Sequence, residues 1–146
     1  MLDIFSLKVE EIASKIKDAQ LTSVEVCEKY IEKINKFEKD LKAWVYFDKK
    51  LLLEKAAEAD KYRQSGKPIG PLHGIPIAVK DIVGTVDMPT ECGTVIKKEK
   101  SFSQNAEIID LLLAAGAIVM GKTATAEFAY LGPPKTTNPH DHSRTP

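Results

Sequence analysis

Lys80 ends the apolar run Ile75-Pro76-Ile77-Ala78-Val79 and is followed by Asp81. A lysine set where a strand leaves the core is held partly out of water. Burial disfavours the charged form, so such an amine gives up its proton readily enough to serve as a base. The plain alternative is a side chain that snorkels into solvent beside Asp81. Lys122 stands in a comparable place after Ala117-Ile118-Val119-Met120-Gly121, and spacing alone does not choose between the two lysines. Asp81 reads as an ion-pair partner or a turn acceptor. A carboxylate close to Lys80 would favour the ammonium, so a basic Lys80 requires Asp81 to point elsewhere.

The other candidates carry less. His140-x-His142, with Asp141 between them, offers two imidazoles to a transition metal. A third ligand at helical or strand spacing is missing and prolines surround the pair, so these read as loop residues and no metal is expected. His73, before Gly74, reads as structural. Ser101 and Ser103 have no histidine at useful spacing for a triad, and Ser143 lies in a proline-rich tail. Cys27 and Cys92 show no CxxC spacing and read as free thiols.

The elements that position these groups follow from periodicity. Val9, Ile12, Ala13 and Ile16 fall at helical spacing behind Ser6, a candidate N-cap, and predict a helix to about residue 19. Thr22 with Glu25 is a capping-box pair that starts a second helix, whose stripe is Cys27, Tyr30, Ile31 and Ile34, extended by Phe37 and Leu41. Residues 43–47 are an aromatic and β-branched run, read as an apolar plug rather than a strand. A third helix is predicted from Asp48 to about Gln64, with Leu52, Ala56 and Ala59 on one face and Gly66 ending it. Prolines make 67–71 a loop. Residues 75–83 and 117–120 read as strands covered on both faces. Between them lies an irregular stretch, 84–103, with room for a short strand, and then a helix capped by Asn105 and stopped by Gly116. Strand, crossover helix, strand makes a parallel pair. Lys80 and Lys122 then lie near the carboxyl ends of neighbouring strands, where ligands of open α/β sheets bind.

The 146 residues, 43% hydrophobic, suffice for one core, and 21 basic residues against 21 acidic ones leave no net charge to draw in a polyanion. Direct nucleic-acid binding is therefore not expected. The basic stretch 97–100 is interrupted by Glu99 and reads as a solvated loop. The first residues lack the pattern of a signal peptide and no segment approaches the roughly 20 apolar residues of a membrane span, so the expectation is a cytoplasmic chain with no membrane partner.

Three blocks together carry a family resemblance. Residues 70–81, reading GPLHGIPIAVKD, resemble the catalytic-lysine segment of the amidase signature family. Residues 115–123 with 127–129 are similar to its next landmark, and 138–146 to the one after. The resemblance selects Lys80 as the base of a Ser/cis-Ser/Lys mechanism that hydrolyses a C–N amide bond of a small-molecule substrate, with neither metal nor organic cofactor. It implies an α/β fold, with N-terminal helices packed on a mixed sheet, as the front part of an α/β/α amidase sandwich. Residues 1–66 would be its helical region and 67–146 its first strands and crossover helix. The family's cis-peptide serine and nucleophilic serine belong to a Gly/Ser-rich loop beyond a stretch like 144–146. The chain is thus expected to be an incomplete domain, inactive alone, and to self-associate or pair with the remainder. Two departures stand out. Ala124 replaces the asparagine common after such a Gly-Lys-Thr, and the tail 131–139 is slightly closer to stand-alone amidases than to the glutamyl-tRNA(Gln) amidotransferase A-type chain. That amidotransferase chain is the alternative reading, and a non-catalytic binding or scaffold module is another.

Overall fold

The computed structural model describes residues 3–97 and 101–146. Its order is α1 (Val9–Lys17), α2 (Ser23–Leu41), β1 (Trp44–Phe47), α3 (Lys49–Gln64), β2 (Pro76–Lys80), α4 (Glu107–Ala114) and β3 (Ile118–Thr123), with 3-10 turns at Ile4–Ser6 and Val95–Lys97. The solvated-loop reading of 97–100 lies outside the described residues apart from the backbone of Lys97. In 84–97 and 101–103 no strand forms among the described residues.

The helix starts show where local rules hold. Thr22 caps α2: its Oγ1 accepts from Glu25 N at 3.0 Å while the Glu25 carboxylate accepts from Thr22 N at 2.7 Å, the two-way capping box the pair predicts. Asp48 caps α3 through Lys50 and Leu51, and Gly66 follows its end at φ +72°. Two caps fall elsewhere. Ser6 belongs to the preceding 3-10 turn, its hydroxyl donating to Asp3 O, and α1 starts behind Lys8, whose N–H is taken by Glu11. Asn105 sits one residue before the N-cap of α4, Ala106. Its amide is spent on Val86 N and Asp110, which ties the long connection to the helix.

The sheet is mixed, in the order β1-β3-β2, with β1 antiparallel and β2 parallel to the central β3. Residues 44–47 are thus a strand and not a plug. Gly121 makes that pairing possible, because a Cβ there would stand 2.5 Å from Tyr46 O and 2.9 Å from the Trp44 ring. One side of β3 packs Ile118 and Met120 against Cys27, Ile31, Leu52 and Ala56 of α2 and α3. The other packs Val119, with Val79 of β2, against Met88 and Ile109. Ile12 and Ile16 of α1 meet Val26 and Ile75. β3 is buried along almost its whole length, whereas β2 stops at Lys80 and exposes Ala78. The expectation of two strands covered on both faces therefore holds for β3 only, since β2 exposes Ala78 and Lys80 on one face.

Candidate active site

Val79 pairs with Lys122 and Lys80 with Thr123 across the parallel ladder, so both lysines do lie at the carboxyl ends of adjacent strands. Alternation along a strand then separates them. Lys122 shares a face with its buried ladder partner Val79, and Lys80 shares the other with Ala78. Lys80 is exposed, and its side chain has no hydrogen-bond or ion-pair partner among the described residues. Lys122 is fully buried, at 0% exposure. Desolvation and access, expected of one lysine, are divided between two. The lysine withdrawn from water is Lys122, and the one open to a substrate is Lys80.

The connection after β2 wraps Lys122. Its Nζ donates to Val83 O at 2.8 Å, to Pro89 O at 3.3 Å and, by a short bond, to Thr90 Oγ1. The Asp81 carboxylate stands 3.6 Å away, itself buried. Asp81 therefore points away from Lys80, and it is at once an ion-pair partner and a turn acceptor, taking Glu91 N–H at 3.2 Å. Burial pushes the Lys122 ammonium below the ordinary lysine range, with Asp81 opposing that shift. Burial likewise pushes the Asp81 carboxyl up, opposed by the Glu91 N–H and by Lys122.

A groove of about 340 Å³ lies between α2 and the sheet, lined by Tyr30, Ile34, Phe37, Trp44 and Ala78 but by neither Lys80 nor Lys122. A larger depression, about 810 Å³, lies over the start of α3 and includes none of the candidate groups. The remaining candidates are dispersed. His73 is buried, its Nε2 donating to Ala59 O at 2.9 Å, in the structural role expected. Ser101 and Ser103 are exposed. His140 and His142 flank an Asp141 whose carboxylate is taken by Ser143 and Arg144. No group of three or more His, Cys, Asp or Glu comes together among the described residues.

With the geometry established, the comparisons decide the family. The Amidase profile matches residues 25–146. The chain belongs to the amidase family. This amidase-family chain is 39% identical over 142 residues to the Mycobacterium tuberculosis protein named "Putative amidase AmiD", a match covering 94% of the chain and 30% of that protein. It is 35% identical over 152 residues to the A-type chain of the glutamyl-tRNA(Gln) amidotransferase of Chloroflexus aurantiacus, covering 100% and 31%. The peptide amidase of Stenotrophomonas maltophilia superposes with a TM-score of 0.86 at 26% identity, over 96% of this chain and 31% of that one. A fatty acid amide hydrolase does so at 0.83 and 28%, over 95% and 26%. The chain thus spans about 30% of the length of the curated relatives it matches.

What the sequence reading missed in this amidase fold is the pairing of Asp81 with Lys122. Its signal was present: two charged residues, each directly after an apolar strand, on strands predicted to be neighbours. No helix is long and apolar enough to cross a membrane among the described residues.

Proposed function

We propose that this chain is the lysine-bearing front portion of an amidase that hydrolyses a C–N amide bond, with Lys80 as the general base. The observation that carries the reading is the place of Lys80, exposed at the carboxyl end of β2, beside the central strand, in a chain of the amidase family. A base must reach the proton it removes, and Lys122, buried with its donors engaged, does not. The nucleophilic and bridging serines come from polypeptide other than residues 1–146, consistent with a chain that spans about 30% of its relatives, so residues 1–146 alone release no ammonia. The mechanism calls on no metal or organic cofactor, and the substrate is a small amide.

Incubating the chain with aliphatic and aromatic amides and with glutamine, and following ammonia, tests the first part. The second part uses a full-length amidase carrying residues 1–146 as its front segment. There Lys80→Ala removes turnover with the circular dichroism spectrum unchanged, and Lys80→Arg does not restore it, because a guanidinium keeps its proton. Turnover retained in Lys80→Ala would sink the assignment. The match to the amidotransferase over the whole chain favours a second reading, in which the same hydrolysis supplies ammonia to a partner-held substrate. Glutamine-dependent ammonia release that appears only with added partner proteins would select it.

A further inference from the structure

We propose that Asp81 and Lys122 are positioning residues for Lys80, a reading that rests on Lys80 being the base. The bonds converge on the residue next to Lys80. Asp81 N donates to Thr123 O at 2.9 Å, and Asp81 O accepts from Cys92 N at 2.9 Å. Its carboxylate takes Glu91 N–H at 3.2 Å and faces Lys122 Nζ at 3.6 Å. Lys122 in turn draws Val83, Pro89 and Thr90 onto the sheet. The backbone that carries Lys80 is therefore held on its amino side by the β2–β3 ladder and on its carboxyl side by this closed loop, while the Lys80 side chain alone stays free to meet a substrate.

Charge is the other half of the device. The pair places one negative and one positive group beside Lys80, so the amine feels a buried dipole and no net charge. The other titratable groups facing the pair are Asp87 and Cys92, toward Lys122, and Glu91, toward Asp81. The ion pairs formed among the described residues do not include Lys80. Removing the Lys122 charge leaves Asp81 uncompensated, and a carboxylate nearby favours a protonated Lys80 and weakens it as a base at neutral pH.

The test needs no turnover. Trace acetylation of the 146-residue chain at neutral pH, resolved by mass spectrometry, gives the rate at which the Lys80 amine reacts, and amide exchange gives the closure of the loop. Lys122→Met is expected to slow acetylation of Lys80 about threefold and to speed exchange at the Glu91 and Cys92 amides roughly tenfold. The double variant Asp81→Asn/Lys122→Met returns the Lys80 rate to its original value while the fast exchange remains. Thr90→Val, which changes no charge, speeds exchange and leaves the Lys80 rate alone. An unmoved Lys80 rate in Lys122→Met, or a double variant displaced as far as the single one, overturns the proposal. Should Lys122→Met fail to fold, Thr90→Val decides it, and unchanged exchange at Glu91 and Cys92 is then the overturning result. A failure here leaves the hydrolysis assay of Lys80→Ala untouched, so the two readings fall separately.

Discussion

At the scale of single residues, the two lysines show what a sequence transmits and what it withholds. That both end apolar strands is written in the chain. Which of them is buried depends on strand alternation and on the path of the connection 81–94, and neither is local information. Lys122→Ala is therefore not a neutral comparison for Lys80→Ala. It leaves a buried carboxylate without its cation, and the loss expected from breaking such a pair is about 3–5 kcal/mol, measurable by urea titration, whereas Lys80→Ala at an exposed position changes stability by less than about 0.5 kcal/mol. Cys27 makes a second residue-scale prediction. It is fully buried, and burial, with Asp60 and Glu28 adding their negative charge, pushes its thiol from 9.0 to about 12. A folded-state pKa above the unfolded one contributes stability that is complete below pH 9.0 and is lost as pH rises toward 12. The chain should thus lose stability progressively in that window, and a thiol reagent at neutral pH should modify Cys27 only at the rate of unfolding. Rapid modification of the folded chain would contradict it.

At the scale of elements, the helices were legible wherever their ends are governed by neighbours in sequence, as at Thr22 with Glu25 and at Asp48. The misses share a cause. Residues 44–47 become a strand because Gly121, far along the chain, lets β1 approach β3, and the Asn105 amide is drawn off by Val86. A third long-range term lies at the start of α2, where the Asp60 carboxylate of α3 accepts from Ser23 N at 2.7 Å and Val24 N at 3.1 Å. The helix thus has a cap from its own turn and a second from another helix, both favoured by the partial positive charge of its N-terminus. Asp60→Ala orphans two backbone donors in a buried setting and should cost about 1–3 kcal/mol, while Thr22→Ala, on the exposed side, should cost about 1 kcal/mol. Equal, small losses in thermal unfolding of the two variants would mean that solvent replaces Asp60 without penalty.

At the scale of the whole molecule, the three-stranded sheet has one enclosed strand, β3, between two edge strands, β1 and β2. β3 is enclosed between α2 and α3 on one face and Met88 with Ile109 on the other. β2 pairs on one side only among the described residues and exposes Ala78. Apolar surface is also left open elsewhere: Val95 is 87% exposed, Ile96 75%, Tyr130 86%, and α4 presents Ile108 and Leu111 at 54% and 60%. This much open apolar surface on a chain of 146 residues, with zero formal net charge to keep copies apart, favours association, and an unpaired strand edge supplies a template for it. The parallel β2–β3 pair was readable from the alternation of strand and helix patterns, whereas the mixed sheet was implied only by the family resemblance, since its antiparallel strand β1 reads as a plug. The openness of β2 was not readable, because a continuous apolar run looks the same whether or not anything covers it. We expect the isolated chain to run in size-exclusion chromatography with light scattering as a dimer or larger species rather than at 16.1 kDa. Lys or Glu placed at Ala78 and Leu111 should shift it toward the monomer, since a charge on an exposed apolar site opposes burial there. A monodisperse 16.1 kDa monomer with a single cooperative melt would mean that these surfaces need no cover, and would favour a self-sufficient binding module over the front portion of an amidase.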